Sequence, residues 1–236
     1  MSDQMADTLW PVIAATIAFV FGHFILSWGP VRGALVARLG RGPFLGAYSV
    51  LMIAAFVWMN MTYIRAPVIA VWPHSMTAKY IAWVFMLFAT IFLVCGAATQ
   101  NPTAVGGDRL LDRPEPARGI FKVTRHPILW AIALWSLVHI GTTGDAASLI
   151  FFGGLAFLSL AGMAHIDAKR RAENPERFAR LAATTSAIPF AALIAGRTRV
   201  SLAEIGWPRI LAGLALYLIL LYGHEWAIGI VVAPQL

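Results

Sequence analysis

Five histidines lie inside or at the ends of long apolar segments: His23, His126, His139, His165 and His224. An ionisable side chain in the hydrocarbon core of a membrane is costly, by roughly 2.5 kcal/mol or more for the charged types, so such residues usually face the protein interior and serve a function. Neutral imidazole is also a common ligand of haem iron and other transition metals. The sequence therefore predicts that some of these histidines hold a metal-containing cofactor.

Position along the segments sorts the five histidines into two levels, at about 1.5 Å per residue of helix. His23, His126 and His165 are expected near one face of the membrane, and His139 and His224 near the other. His23 and His139 are best placed inside apolar runs and are therefore the strongest candidates for a functional role.

Other histidines have structural explanations that compete with a functional one. His165 borders a charged segment, which favours a solvated interfacial histidine. His126 precedes a proline and is suited to hydrogen-bond the entry of a helix. His224 is followed by Glu225, which indicates either a buried pair or a polar rim. His74 follows a proline in a loop and is expected to be exposed.

Composition identifies the elements that must position these side chains. The chain of 236 residues is 59% hydrophobic and 12% charged, with a mean hydropathy of +0.74. A soluble domain carries about 25% charge, so this is an integral membrane protein. A helix needs about 20 apolar residues to cross the hydrocarbon core, and only helices fit these unalternating runs. Six apolar segments are evident: Leu9–Trp28, Phe44–Ile64, Tyr80–Ala98, Ile128–Ile140 (the short one), Ala146–Ile166 and Ile210–Val232. The predicted fold is all-α, a polytopic bundle of about six transmembrane helices.

Basic residues alternate between the loops that join these segments. The first, third and fifth loops hold three, five and eight Lys and Arg residues, whereas the second holds two and the fourth holds none. By the positive-inside rule, both termini are expected outside and the basic loops in the cytoplasm. The net charge of +7 is thus a signal of topology and no evidence for a nucleic-acid partner. The expected location is a bacterial inner membrane.

No internal repeat or linker divides the chain, so a single domain over 1–236 is predicted, with a cytoplasmic basic segment at 167–206. That segment begins as a charged extension of the fifth helix, followed by a turn near Pro175 and a second short helix. A short amphipathic helix is also predicted from Arg32 to Leu39. The single cysteine, Cys95, excludes an intramolecular disulfide.

The tripeptide Arg125-His126-Pro127 opens the fourth segment. Proline is favoured in the first turn of a helix, so Pro127 sets where this helix begins. An arginine and a histidine at that entry can bind an anion or a carboxylate. The sequence predicts Arg125 and His126 as cofactor-binding candidates on these grounds.

Several segments resemble the NnrU family of bacterial membrane proteins. They are 119–130 (GIFKVTRHPILW), 133–139 (ALWSLVH), 144–148 (GDAAS) and 185–190 (TSAIPF), together with His23, Arg32, Leu39-Gly40 and Tyr48-Ser49. The resemblance covers nearly the whole chain. It implies a link to denitrification, in particular to the expression of nitrite and nitric oxide reductase activity.

The family in turn resembles plant ζ-carotene isomerase, a membrane haem-b protein that isomerises a cis double bond. This resemblance implies that His23 and His139 are axial haem ligands and that the substrate is an apolar polyene or another lipid-soluble compound. In the plant relative a cysteine three residues before the second ligand is linked to a redox-dependent ligand switch. Ser136 occupies that place here, so the switch is not expected in this chain.

The estimated depths of the two implied ligands differ by about 10 Å along the membrane normal. Two axial ligands of one upright haem should lie at similar depth, and His139 with His224 is the better-matched pair on that criterion. His23 and His139 remain the first choice because the motif matches residue by residue. A tilted helix or an inclined haem would reconcile them.

Three functions remain open at this stage. The first is a haem-b protein with redox or isomerase chemistry. A respiratory redox partner is expected for such a protein. The second is a non-enzymatic partner or assembly factor for respiratory nitrite and nitric oxide reductases. The third is an S-adenosylmethionine-dependent membrane methyltransferase, which the Arg-His-Pro entry and helical hairpin resemble. That family has a paired-glutamate motif after the hairpin, and here the place is Asp167-Ala-Lys-Arg-Arg171, which lacks the acidic pair.

Overall fold

The structure is a computed structural model that describes residues 8–103 and 107–232. Over these residues the chain forms helices, with no β-strand beyond an isolated bridge between Ala70 and Asp145. In chain order the helices are α1 Trp10–Ser27, α2 Gly29–Leu39, α3 Arg41–Ile64, α4 Met76–Ala97, α5 Asp108–Leu111, α6 Ile120–Val123, α7 Pro127–Thr143, α8 Ala146–Glu173, α9 Pro175–Thr184, α10 Ala191–Ile194, α11 Leu202–Ile205 and α12 Trp207–Ile228. The predicted all-α class is confirmed.

Five of these helices, α1, α3, α4, α8 and α12, are long and apolar enough to cross a membrane. The helix α7 is apolar but has only 17 residues, and it is the segment that the sequence predicted to be short. The multi-pass membrane class is therefore confirmed. Residues 1–7 and 233–236 lie outside the described part of the chain, and the predicted location of both termini stays a prediction.

Proline and glycine set several of the helix boundaries. Proline stands in the first turn of α1, α2, α9 and α12, where its missing N–H costs no helical hydrogen bond. The turn between α7 and α8 requires Gly144, whose φ is +69° and whose Cβ would lie 2.4 Å from the Trp72 carbonyl oxygen. Any side chain there would clash with backbone, so this turn is restricted to glycine.

The described residues form two compact units. Unit 1 comprises the described part of 1–75 together with His139–Leu158, and unit 2 comprises Met76–Val138 and the described part of 159–236. The helices α7 and α8 contribute to both units. The single domain predicted over 1–236 stays a prediction.

Unit 1 is built on α1 packed against α3, with the start of α8 against α1. A Cβ at Gly154 would lie 2.2 Å from Thr16 Cγ2, so a glycine is what allows α8 to approach α1 this closely. The loop after α3 is joined to the α7–α8 turn, since the Val71 and Trp72 amides both donate to the Gly144 carbonyl at 2.8 and 3.2 Å.

Unit 2 contains α4 packed along α12 and a buried core that includes Phe121 and Leu181. Two of the segments singled out in the sequence, 119–130 and 185–190, are hydrogen-bonded to each other in this unit. The Arg125 amide donates to the Ser186 carbonyl at 2.9 Å, and the Phe190 amide donates to the Val123 carbonyl at 2.8 Å. The predicted charged extension is present, since α8 runs to Glu173 and is followed by the turn and α9.

Candidate functional site

Arg125 and His126, at the entry of α7, both bind the carboxylate of Asp167 on α8. The Arg125 Nε lies 2.9 Å from each Asp167 oxygen, and its Nη2 makes a further short contact with Oδ2. The His126 Nε2 lies 2.9 Å from Asp167 Oδ1. His126 is 3% exposed, so one carboxylate holds a nearly buried imidazole and a guanidinium together.

Backbone around this cluster is fixed by the segment that precedes α10. The Thr124 hydroxyl donates to the Ala187 carbonyl at 2.8 Å, and the Trp130 indole N–H donates to the same oxygen at 2.7 Å. The Arg125 guanidinium also lies over the Phe178 ring, 5.7 Å from its centroid. We refer to Arg125, His126 and Asp167 as the buried triad.

The buried triad shows which carboxylate Arg125 and His126 bind. Arg125 and His126 were predicted to bind an anion or carboxylate, and the carboxylate that they bind belongs to the protein itself. Asp167 is the first residue of the segment Asp167–Arg171, and its carboxylate is already engaged by Arg125 and His126. A buried pair of this kind must keep all its partners, because removing one leaves an uncompensated charge.

His23, in unit 1, is held very differently. Its Nδ1 lies 2.8 Å from the Phe19 carbonyl of its own helix, so in the neutral form Nδ1 donates and Nε2 keeps a lone pair. The half-buried ring packs edge-on against Phe19 at 4.6 Å and Tyr48 at 5.9 Å between centroids. A second nitrogen oriented by a hydrogen bond on the first is the usual arrangement of a metal-ligating histidine.

His139, also in unit 1, lies at the edge of an aromatic cluster. Its ring is 4.9 Å from the Phe152 ring. Phe152 and Phe151 both contact Tyr63, at 5.8 and 4.5 Å between centroids.

A chain of hydroxyl groups adjoins this cluster. Ser148, 1% exposed, donates to the Asp145 carboxylate at 2.5 Å, so the Tyr63 hydroxyl must be the donor in its own 2.9 Å bond to Ser148. Asp145 also accepts the Ser148 amide at 2.9 Å at the start of α8. The chain therefore ties α3 to α8 beside the cluster that holds His139.

The aromatic contacts of the two histidines involve different parts of α3. His23 packs on Tyr48, and the cluster beside His139 includes Tyr63. Tyr48 and Tyr63 are 15 residues apart on α3, which is about 22 Å at the rise of an α-helix. The pairing of His23 and His139 as axial ligands of one haem stays a prediction.

The remaining predicted histidines belong to unit 2. His165 is half-buried on α8, two residues before Asp167. His224 is half-buried on α12, where its Nδ1 contacts the Leu220 carbonyl of the same helix. Within residues 8–103 and 107–232 no group of three or more His, Cys, Asp or Glu side chains is arranged to hold a metal ion. The role of these histidines as cofactor ligands stays a prediction.

Asp167 is the functional partner that sequence reasoning missed. The sequence placed it in a charged helix extension and in the segment compared with the methyltransferase motif, but did not pair it with Arg125 or His126, although the helical hairpin offered a signal. Arg125 lies 19 residues before Gly144 at the turn and Asp167 lies 23 after it, so an antiparallel hairpin brings the two to the same end.

Ser136, in the place of the relative's cysteine, is fully buried, and its hydroxyl has no hydrogen-bond partner among the described residues.

Comparison with known proteins places the chain in a family. The sequence model described as NnrU protein matches residues 11–232. The chain is also 33% identical over 82 residues to "15-cis-zeta-carotene isomerase, chloroplastic" of Zea mays, which is 35% of this chain and 22% of the maize protein. The match thus spans about a fifth of the maize protein's length. No solved structure matches the chain.

Proposed function

This chain belongs to the NnrU family, and we propose that it is a haem-b protein of the bacterial inner membrane with isomerase or redox chemistry on an apolar substrate. The observation that carries the proposal is the arrangement of His23. Its Nδ1 is used by the Phe19 carbonyl, and the lone pair on Nε2 is left for a metal ion. His23 thus combines a place in an apolar helix, a ring oriented by its own helix and a second nitrogen able to bind a metal ion.

The isomerase reading is supported by the similarity to the maize enzyme, whose name describes a change at a cis double bond of a carotene. A long polyene would require an apolar, lipid-accessible protein, and the chain supplies helices with many exposed apolar side chains. Because the match covers 22% of the maize protein, the substrate of this chain is proposed only as a class, an apolar polyene or a similar lipid-soluble compound.

The side chains of unit 1 would define the surroundings of the cofactor. The Phe19 carbonyl fixes the tautomer of the His23 ring, and the Phe19 and Tyr48 rings pack against it in edge arrangements. His23 would hold the haem, and the haem would supply isomerase or redox chemistry to a bound apolar molecule. We propose His23, whose ring is oriented by the Phe19 carbonyl, as the protein ligand, and His139 as a residue of the adjoining aromatic cluster.

Absorption spectroscopy of purified variants tests this assignment. The protein would be purified in mild detergent after expression with a haem precursor, and spectra would be recorded oxidised and after dithionite. We expect a haem spectrum in the wild type and in His139→Ala, and its loss in His23→Ala. His224→Ala, a histidine that also bonds a carbonyl of its own helix, is the matched control and should keep the haem.

Other results would give different conclusions. Loss of haem in both His23→Ala and His139→Ala would support the bis-histidine pair implied by the sequence and would contradict the single ligand. Absence of haem from gently purified wild type would overturn the proposal and favour a non-enzymatic partner or assembly factor of respiratory nitrite and nitric oxide reductases. In that case binding of S-adenosylmethionine would test the methyltransferase alternative directly.

A further inference from the structure

The first loop region of unit 1 carries basic charge without any acid to match it. The sequence contains no aspartate or glutamate from residue 8 to residue 107. Asp145 is the one acid among the described residues of unit 1, and its carboxylate is bonded to Ser148. Arg32, Arg38 and Arg41 therefore have no ion pair with any described residue.

Several arginines of unit 2, in contrast, have an acceptor within the protein. Each of several has a carboxylate or a backbone carbonyl as its acceptor: Arg125 with Asp167, Arg177 with Asp112 at 2.8 Å, Arg170 with the Thr103 carbonyl at 3.1 Å, Arg180 with the Leu111 carbonyl at 3.2 Å and Arg197 with the Ala182 carbonyl at 2.7 Å. Arg32, Arg38 and Arg41 have no such acceptor among the described residues, so their guanidinium groups remain able to bind an acceptor outside the chain.

Connectivity fixes where these arginines lie. The helix α2 joins α1 to α3, and both of those helices are long and apolar enough to cross a membrane. A short helix between two spanning helices must lie at the boundary of the bilayer. None of the residues of α2 is buried, and Trp28, which precedes it, is 56% exposed, as expected of an interfacial anchor.

Local structure favours an anion at the junction of α2 and α3. The first turn of α3 contains no acidic residue and no side-chain cap, so the Arg41 and Gly42 amides, at the positive end of the helix dipole, have no side-chain acceptor among the described residues. The third residue of this turn, Pro43, has no N–H. Arg41 is the first residue of α3, and Arg38 lies in the last turn of α2. The Arg32 guanidinium is held 5.9 Å from the centroid of the buried Phe44 ring, which restricts its motion.

We propose that Arg32, Arg38 and Arg41 form a binding site for the phosphate of an anionic phospholipid, such as phosphatidylglycerol. A guanidinium group matches the geometry of a phosphate and binds it with paired hydrogen bonds. Leu39 is exposed and lies between Arg38 and Arg41 in the chain. It can contact the acyl region of a lipid, whereas a free anion has no apolar part to contact it. The site is independent of haem and of the chemistry at His23.

Lipid retention provides the test. Wild type and variants would be exchanged into detergent with equal amounts of phosphatidylglycerol and phosphatidylcholine, and bound lipid would be counted by native mass spectrometry. We expect wild type to retain phosphatidylglycerol in preference to phosphatidylcholine. In the combined variant R32Q/R38Q/R41Q this preference should fall by roughly tenfold or more, since each arginine contributes to the binding of an anionic lipid.

Arg65 supplies a matched control at the other end of the same helix. It caps the C-terminus of α3, is exposed, and has no ion pair with a described residue, so R65Q removes the same charge from the same unit. We expect R65Q to retain phosphatidylglycerol as wild type does, while R41Q alone weakens retention several-fold. Circular dichroism melts in zwitterionic detergent would confirm that all variants are folded.

Three outcomes would overturn the proposal. Equal retention of the two lipids by wild type would show that no anionic-lipid site exists. An equal loss in R41Q and R65Q would show a general effect of net charge. Displacement of phosphatidylglycerol by millimolar inorganic phosphate would assign the site to a free anion.

Discussion

His126 and His23 show how differently the two units use the same side chain. His126 is 3% exposed, and its Nε2 is committed to Asp167, which Arg125 also binds. His23 is half-buried and contacts the Phe19 and Tyr48 rings, and its one hydrogen bond to a described residue joins Nδ1 to a carbonyl of its own helix.

The contrast extends to the way each unit is held together. Unit 2 joins distant segments through ion pairs and through arginines that donate to backbone carbonyls. Unit 1 relies on close helix packing at Gly154, stacked aromatic rings and a single hydroxyl chain. A histidine bonded to a buried carboxylate is expected to be structural, whereas a histidine that contacts aromatic rings and a carbonyl of its own helix is available for a ligand. The comparison therefore separates candidates that the sequence had placed together.

Asp167→Asn should have the largest effect on stability. It removes the charge that compensates Arg125 and His126, and breaking a buried pair by removing one partner costs about 3–5 kcal/mol. Asp112→Asn is the control, since Asp112 and Arg177 form a more exposed pair that is expected to contribute less than about 1 kcal/mol. Thermal unfolding in detergent, followed by circular dichroism, measures both. Similar shifts in the two variants would contradict the structural role of the buried triad.

His126→Ala and His23→Ala should separate stability from ligand binding. Removing His126 takes away a buried hydrogen-bond partner of Asp167 and should lower the free energy of unfolding by about 1–3 kcal/mol. Removing His23 loses only a bond within one helix, so it should leave stability nearly unchanged while abolishing the haem spectrum. Unfolding of His126→Ala at the wild-type temperature would contradict the structural role of His126. Lower stability of His23→Ala than of His126→Ala would contradict the assignment of His23 to ligand binding alone.

Gly154→Ala tests the packing that positions α1, the helix that carries His23. The new Cβ would overlap Thr16 Cγ2 at 2.2 Å, and overpacking of this kind costs about 1–3 kcal/mol. Gly153→Ala is a control one residue away, because a Cβ there meets nothing within 4 Å. The same melting experiment should show a loss at position 154 alone. Equal behaviour of the two alanine variants would mean that α8 does not depend on close approach to α1.

Local sequence predicted the helices well but could not reveal their partners. Apolar length predicted every helix that is able to span a membrane, and even identified the short one, because these features depend on a single segment. The triad depends on residues 41 and 42 positions apart, and Asp167 looked like one charge among many. The register of the hairpin around Gly144 would have indicated that Arg125 and Asp167 lie at the same end of α7 and α8. Similarly, the level of His139 relative to His23 depends on how the helices pack, which no single segment specifies.

Tyr63→Phe is the smallest of the predicted changes and the most direct probe of unit 1. It removes one hydroxyl that donates to Ser148 at 2.9 Å, while the stacking of the ring on Phe151 and the bond from Ser148 to Asp145 can persist. A loss of about 0.5–1.5 kcal/mol is expected for one such hydrogen bond.

Tyr48→Phe is its counterpart on the same helix, because the Tyr48 hydroxyl has no hydrogen bond within the described part of the chain and its ring contacts His23. This substitution should leave stability unchanged and should alter only the surroundings of a ligand at His23. A melting shift for Tyr63→Phe alone, with a spectral shift for Tyr48→Phe alone, would show that the C-terminal end of α3 stabilises unit 1 and the N-terminal end borders its ligand site. Equal melting shifts would contradict that division, since the two residues would then serve the same structural purpose.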